Sequence, residues 1–108
     1  MPTYHKLVRD KIPMIIEATG KSYRTRILEN TEYIKELRTK LGEEVEEYLS
    51  AKTDDTAVEE LADILEILHS LAKVHGKTME DVEHVRQEKE VKRGGFQKGI
   101  FLIDVEDE

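Results

Sequence analysis

Apolar residues return at intervals of three and four along much of this chain, which is the period of an amphipathic helix. From about Thr31 to Ala51 they fall at Ile34, Leu37, Leu41, Val45 and Tyr48. Gly42 lies inside that pattern and costs about 1 kcal/mol against alanine, unless a neighbour packs closely there. The turn KTDDT separates this segment from a second helix, from Thr56 to about Val74, with Thr56 and Glu59 as a capping box and Gly76 as the stop. Eleven of the eighteen residues from Ala57 to Val74 are apolar, an arc too wide for a helix with one neighbour. That helix is expected to be central and to lie at a seam between copies. A third helix is expected from near Thr78, with Asp81 as its capping partner, to about Val91.

The flanks are less regular. MPTYHKLVRDKIPMIIEATGK predicts an extended lead and a short helix over Met14 to Thr19, with Pro13 in its first turn and Gly20 as its stop. SYRTRILEN suits a strand-like arm or a loop, and RGGFQKG a glycine-rich loop. IFLIDV can pair as a strand or pack on the bundle, and the acidic end VEDE is expected to be mobile. The reading is an all-α antiparallel bundle of about four helices, in a single domain over residues 1–108.

Placing the acids on the helical wheel changes the picture. With Leu37 at zero, Leu41 and Tyr48 lie within about 40° and Val45 at about 80°, while Glu44 falls at about −20°, inside the apolar stripe. Glu47 at about −80° and Glu43 at about −120° flank the stripe, and Glu46 at about 180° faces away. On the second helix, measured from Leu61, Glu60 at about −100° sits between Leu71 and Ile67, and Asp63 follows one turn later at the edge. Glu59, Glu66, Ser70 and Lys73 share the opposite, polar arc. A lone buried carboxylate is strongly disfavoured, and several together repel, so inward acids require cations. Two readings remain open for Glu44 and Glu60: a wet groove or pairing with Lys and Arg, or a cradle for divalent metal.

Composition narrows the partners. Net charge is −7 with 38% charged residues, 6% aromatic, and neither Cys nor Trp. Absence of cysteine removes disulfides, thiolate ligands and thiol nucleophiles. The charge is uneven: residues 1–30 carry a balance of +3 and residues 31–108 one of −10. A long nucleic acid needs a continuous basic surface, so none is expected as partner. No signal peptide or membrane span is visible, which makes a cytoplasmic location and no membrane partner the expectation.

A small anionic ligand is a different matter. Mg²⁺, with Mn²⁺ as an alternative, prefers carboxylate oxygens, keeps several waters and bridges to substrate phosphates. On the third helix, Lys89 and Lys92 extend the face begun by Val82 and Val85, and Arg93, Gly94 and Gly95 follow. Such cations can neutralise a phosphate tail, or simply suit a helix C-terminus. Glu66 and His69 have the spacing of a di-iron ligand pair, but that site needs the motif on two helices and Glu66 is on the polar arc. His5, His75 and His84 have no partner nearby in sequence. Tyr4, Tyr23 and Tyr33 suit base stacking or packing equally.

The grouping Glu43-Glu44-x-x-Glu47 with Glu60-x-x-Asp63 resembles the EExxE…ExxD signature of the MazG-like, all-α nucleoside triphosphate pyrophosphohydrolase superfamily. The head YHKLVRDKIP and the segment KRGGFQKGIFL resemble its single-domain, phosphoribosyl-ATP pyrophosphohydrolase-like subgroup, and the likeness spans Tyr4 to Leu102. The resemblance implies Mg²⁺-dependent cleavage between the α- and β-phosphates of a nucleotide, releasing a monophosphate and pyrophosphate. It implies Glu44, Glu47, Glu60 and Asp63 as metal ligands, with Glu43 and Glu44 in the catalytic centre and Glu43 orienting water. It implies Lys89, Lys92 and Arg93 as phosphate contacts, and a homo-oligomer, dimer or tetramer. Phosphoribosyl-ATP hydrolysis in histidine synthesis is the alternative within the enzyme class. A non-catalytic, metal-binding helical assembly module is the alternative outside it.

Overall fold

The chain is known from a computed structural model that describes residues 2–107. The last residue of the acidic end VEDE therefore lies outside the described residues. The fold is all-helical, with four helices and no strand among the described residues: α1 (Ile12–Ala18), α2 (Asn30–Ser50), α3 (Asp54–Val74) and α4 (Met79–Arg93). Among them, no helix is long and apolar enough to cross a membrane.

Local chemistry sets several of the boundaries. Pro13 occupies the first turn of α1, where a missing N–H costs nothing. α3 starts two residues before the expected Thr56, because the cap is Thr53. Its Oγ1 accepts from the Thr56 N–H at 3.1 Å, and Thr56 Oγ1 accepts from the Thr53 N–H at 3.4 Å. Asp54 and Asp55 in the first turn complement the positive end of the helix. At the other end, the Gly76 N–H reaches the Lys73 carbonyl at 3.0 Å and the Lys77 N–H returns to the Ala72 carbonyl at 2.9 Å. This closing motif needs a left-handed residue, and Gly76 supplies it with φ +73°. α4 opens as expected, with the Asp81 N–H on Thr78 Oγ1 and the Thr78 N–H on Asp81 Oδ2, and runs two residues beyond Val91.

The segment SYRTRILEN is neither helix nor strand. Arg26 ties it to the first turn of α2 through two bonds to Glu32, at 3.0 and 2.7 Å. Among the described residues, nothing beyond its chain neighbours and the helix's own backbone lies within 4 Å of a Cβ built on Gly42, so no close packing against another element justifies that glycine there.

α2 and α3 form an antiparallel pair joined by a three-residue turn, α4 folds back on α3, and α1 packs on no other helix among the described residues. Among the described residues, Leu37, Ile67 and Ala72 are the buried apolar ones. That core is thin, and the chain is extended over 65 × 35 × 25 Å with a radius of gyration of 18.8 Å, against about 13 Å for a compact domain of this length. α3 is central, as its wide apolar arc predicts. One side of that arc meets α2, while Val58, Leu61, Leu65 and Leu68 remain 37–63% exposed.

The apolar tail departs from expectation. IFLIDV neither pairs nor packs: Ile100, Phe101, Leu102 and Ile103 are all more than 70% exposed. No sheet edge exists among the described residues to receive it as a strand, and the α2–α3 pair closes without it.

Candidate metal centre

Glu44 is the one buried charged side chain among the described residues, at 7% exposure. Its place in the stripe of Leu37, Leu41 and Tyr48 forces it inward as α2 packs on α3. Glu60 comes from the facing side of α3 and is half-buried. Glu47, one turn along α2 from Glu44, stays exposed at the rim. The three carboxylates each offer an oxygen to a set whose members all lie within 4.8 Å of one another.

The electrostatics of that set are unfavourable as it stands. Oε2 of Glu44 and Oε2 of Glu60 are both buried with no hydrogen-bond partner. Lys40, one turn before Glu44, brings Nζ only to 3.7 Å from Glu44 Oε1, beyond hydrogen-bond range. The Glu60 carboxyl is accordingly pushed up to about 7. The hydrogen bond to the Glu44 carboxylate that the protonated form can donate is the first cause, followed by burial and then by Glu47. Two buried acceptors facing one another need something positive between them, either a proton or a cation.

The set fits a hard divalent cation. Its donors are all carboxylate oxygens, the chemistry that Mg²⁺, Mn²⁺ and Ca²⁺ share. Ligand oxygens about 2.1 Å from Mg²⁺ stand about 3 to 4 Å apart, so atoms already within 4.8 Å need little movement to close on an ion. A set with one buried, one half-buried and one exposed member also leaves its outer side open to water or phosphate.

The structure distributes the sequence-predicted residues as follows. Glu44, Glu47 and Glu60 come together. Asp63 does not join them: its Oδ1 accepts from Arg9 Nη2 at 2.5 Å, and the two side chains are 39% and 56% exposed. Glu43 is exposed and outside the set, as is Glu46, which the wheel points to solvent. Lys89, Lys92 and Arg93 are exposed on α4, and among the described residues no ion pair links them to the three glutamates. Glu66 and His69 are exposed as well.

Arg9 and Lys40 are the site-adjacent cations that sequence reasoning missed. Lys40 carries a legible signal, an i, i+4 spacing to the inward Glu44. Arg9 lies 54 residues from Asp63, and no periodicity connects an irregular head to a helix that distant.

No family profile matches the chain, and no solved structure matches it. A protein of Mycolicibacterium smegmatis described as uncharacterized is 46% identical over 54 residues, which is 50% of this chain and 55% of that protein. The chain thus spans about half the length of the curated relative it matches.

Proposed function

We propose that Glu44, Glu47 and Glu60 hold Mg²⁺ or Mn²⁺, and that the chain is a nucleotide pyrophosphohydrolase that splits a nucleoside triphosphate between its α- and β-phosphates. The observation that carries the metal site is the pair of unpartnered buried oxygens on Glu44 and Glu60. The likeness of the acidic signature, the VRDKIP head and the KRGGF segment to MazG-like pyrophosphohydrolases supports the reaction.

A bound divalent cation supplies neutralisation of the phosphate chain and lowers the pKa of a water bound to it. Glu44, fixed by burial in the helix pair, sets the position of the site. Glu60 would hold the cation in its ionised form, so its raised pKa would couple occupancy to pH. Glu47, at the rim, is the ligand free to adjust as substrate enters. Glu43 neighbours Glu44 on the exposed side and is the carboxylate left to orient the attacking water or accept its proton. Lys89, Lys92 and Arg93 are the candidate phosphate contacts of α4.

Assembly belongs to the same proposal. A core of three buried apolar residues is small for a chain of this length, and Val58, Leu61, Leu65 and Leu68 form a continuous second face on α3. A further copy of this chain covers that face, making a homodimer or a larger homo-oligomer.

Incubation with a nucleotide panel and Mg²⁺, with pyrophosphate and orthophosphate measured separately, tests the reaction. Pyrophosphate from at least one triphosphate supports it, and a clean preference for phosphoribosyl-ATP selects the histidine-synthesis reading. Mg²⁺ binding without turnover of any substrate selects the non-catalytic assembly module.

A further inference from the structure

Asp63, three residues beyond Glu60 on α3, pairs with a cation from the N-terminal head. Arg9 belongs to the head whose charge balance is +3, whereas all five acids of the signature belong to the remainder, whose balance is −10. The fold brings Arg9 Nη2 to 2.5 Å from Asp63 Oδ1, one helical turn along α3 from Glu60. A guanidinium has five N–H donors in a planar fork, and this contact uses one. The Arg9 side chain is 56% exposed, so it remains accessible to a ligand while it pairs with Asp63.

Two considerations decide what this arrangement does. First, an ion pair this exposed adds little to folding, so a role in stability accounts for little of it. Second, a phosphate chain approaching Glu44, Glu47, Glu60 and Asp63 meets four acids, and a cation at the ion site neutralises only part of that charge. Lys40 stands 3.7 Å from Glu44 and is only 25% exposed. Among the described residues, Arg9 is the more exposed of the two cations that pair with the signature.

We infer that Arg9 is a phosphate-recognition residue of this site: it rests on Asp63 in the unliganded chain and transfers its fork to a phosphate or pyrophosphate group when ligand binds, which frees Asp63 to face the cation. The inference rests on the metal-site reading above. It makes the head, through the segment that precedes α1, a working part of the site rather than a leader to it. Arginine suits the task because its planar fork matches two phosphate oxygens at once, which a lysine does not.

The test is calorimetric titration of the full chain, first with Mg²⁺ alone and then with inorganic pyrophosphate at saturating Mg²⁺, for wild type, Arg9→Gln and Arg9→Lys. In Arg9→Gln, pyrophosphate affinity should fall about tenfold or more, with Mg²⁺ affinity unchanged or raised because Asp63 is released. Arg9→Lys should recover part of the loss. A purely structural role predicts a different pattern, with Mg²⁺ and pyrophosphate weakened together and a lowered melting temperature; that outcome overturns the inference. Unchanged pyrophosphate affinity in Arg9→Gln overturns it too and leaves the metal site intact. No binding of Mg²⁺ or pyrophosphate by wild type overturns the metal-site reading and the inference with it.

Discussion

Metal binding at the carboxylate set should be proton-coupled in a way that identifies Glu60. Its carboxyl is raised to about 7 by the Glu44 carboxylate, by burial and by Glu47. A cation that needs both oxygens must displace that proton, so apparent affinity follows the ionised fraction of Glu60. A group of that pKa is about one-tenth ionised at pH 6, half at pH 7 and nine-tenths at pH 8. Mg²⁺ affinity should therefore rise about fivefold from pH 6 to 7 and less than about twofold from 7 to 8. Proton release should fall from about 0.9 per ion at pH 6 to about 0.1 at pH 8. Isothermal titration in pairs of buffers with different ionisation enthalpies counts those protons directly. Glu60→Gln should bind more weakly and lose the pH dependence. Wild-type affinity that stays flat from pH 6 to 8 with no proton released refutes the reasoning, because a carboxyl of ordinary pKa is already ionised throughout that range.

Other expectations follow from the same geometry. In the absence of metal the sign of the linkage reverses: folded Glu60 binds its proton up to about 7 and unfolded Glu60 only to about 4.5, so its contribution to stability is fully present below the lower value and disappears as pH rises through the higher. Urea unfolding of wild type and Glu60→Gln at fixed protein concentration should show the variant gaining relative stability from pH 5 to 8; a difference that does not vary with pH contradicts the assignment. Glu44→Gln should weaken Mg²⁺ binding about tenfold or more and remove most turnover, with Asp63→Asn also impaired in turnover, while Glu46→Gln behaves as wild type; equal activity in the three variants sinks the division made by the wheel. Leu61→Glu with Leu65→Glu should convert the assembly to monomers by light scattering, whereas a wild-type chain that is already monomeric at micromolar concentration rules out the α3 face as a seam.

The inner half of the site was legible in the sequence because burial on a helix follows a fixed angle. Glu44 falls within about 20° of Leu37, and the structure buries both. Glu60, between Leu71 and Ile67 on the wheel, comes to face Glu44 for the same reason. Helix starts were legible where one capping residue stood alone, as at Thr78. They were misplaced where two threonines competed: Thr53 caps α3 and Thr56 answers with its own hydroxyl, a pairing that a search for glutamate at the third position passes over. The Arg9–Asp63 contact was out of reach, since it depends on how the irregular head crosses α3 and not on any period. The tail IFLIDV misled in the opposite sense. Its apolar run indicates burial somewhere, yet Ile100, Phe101, Leu102 and Ile103 all stay exposed and no sheet edge exists among the described residues.

A crystal soaked in Mn²⁺ and measured for anomalous scattering tests the central claim most directly. The predicted result is a peak bounded by carboxylate oxygens of Glu44, Glu47 and Glu60, with Glu43 and Glu46 outside the coordination sphere. Strong Mn²⁺ peaks elsewhere on the chain, with none between α2 and α3 at those three residues, would contradict the account.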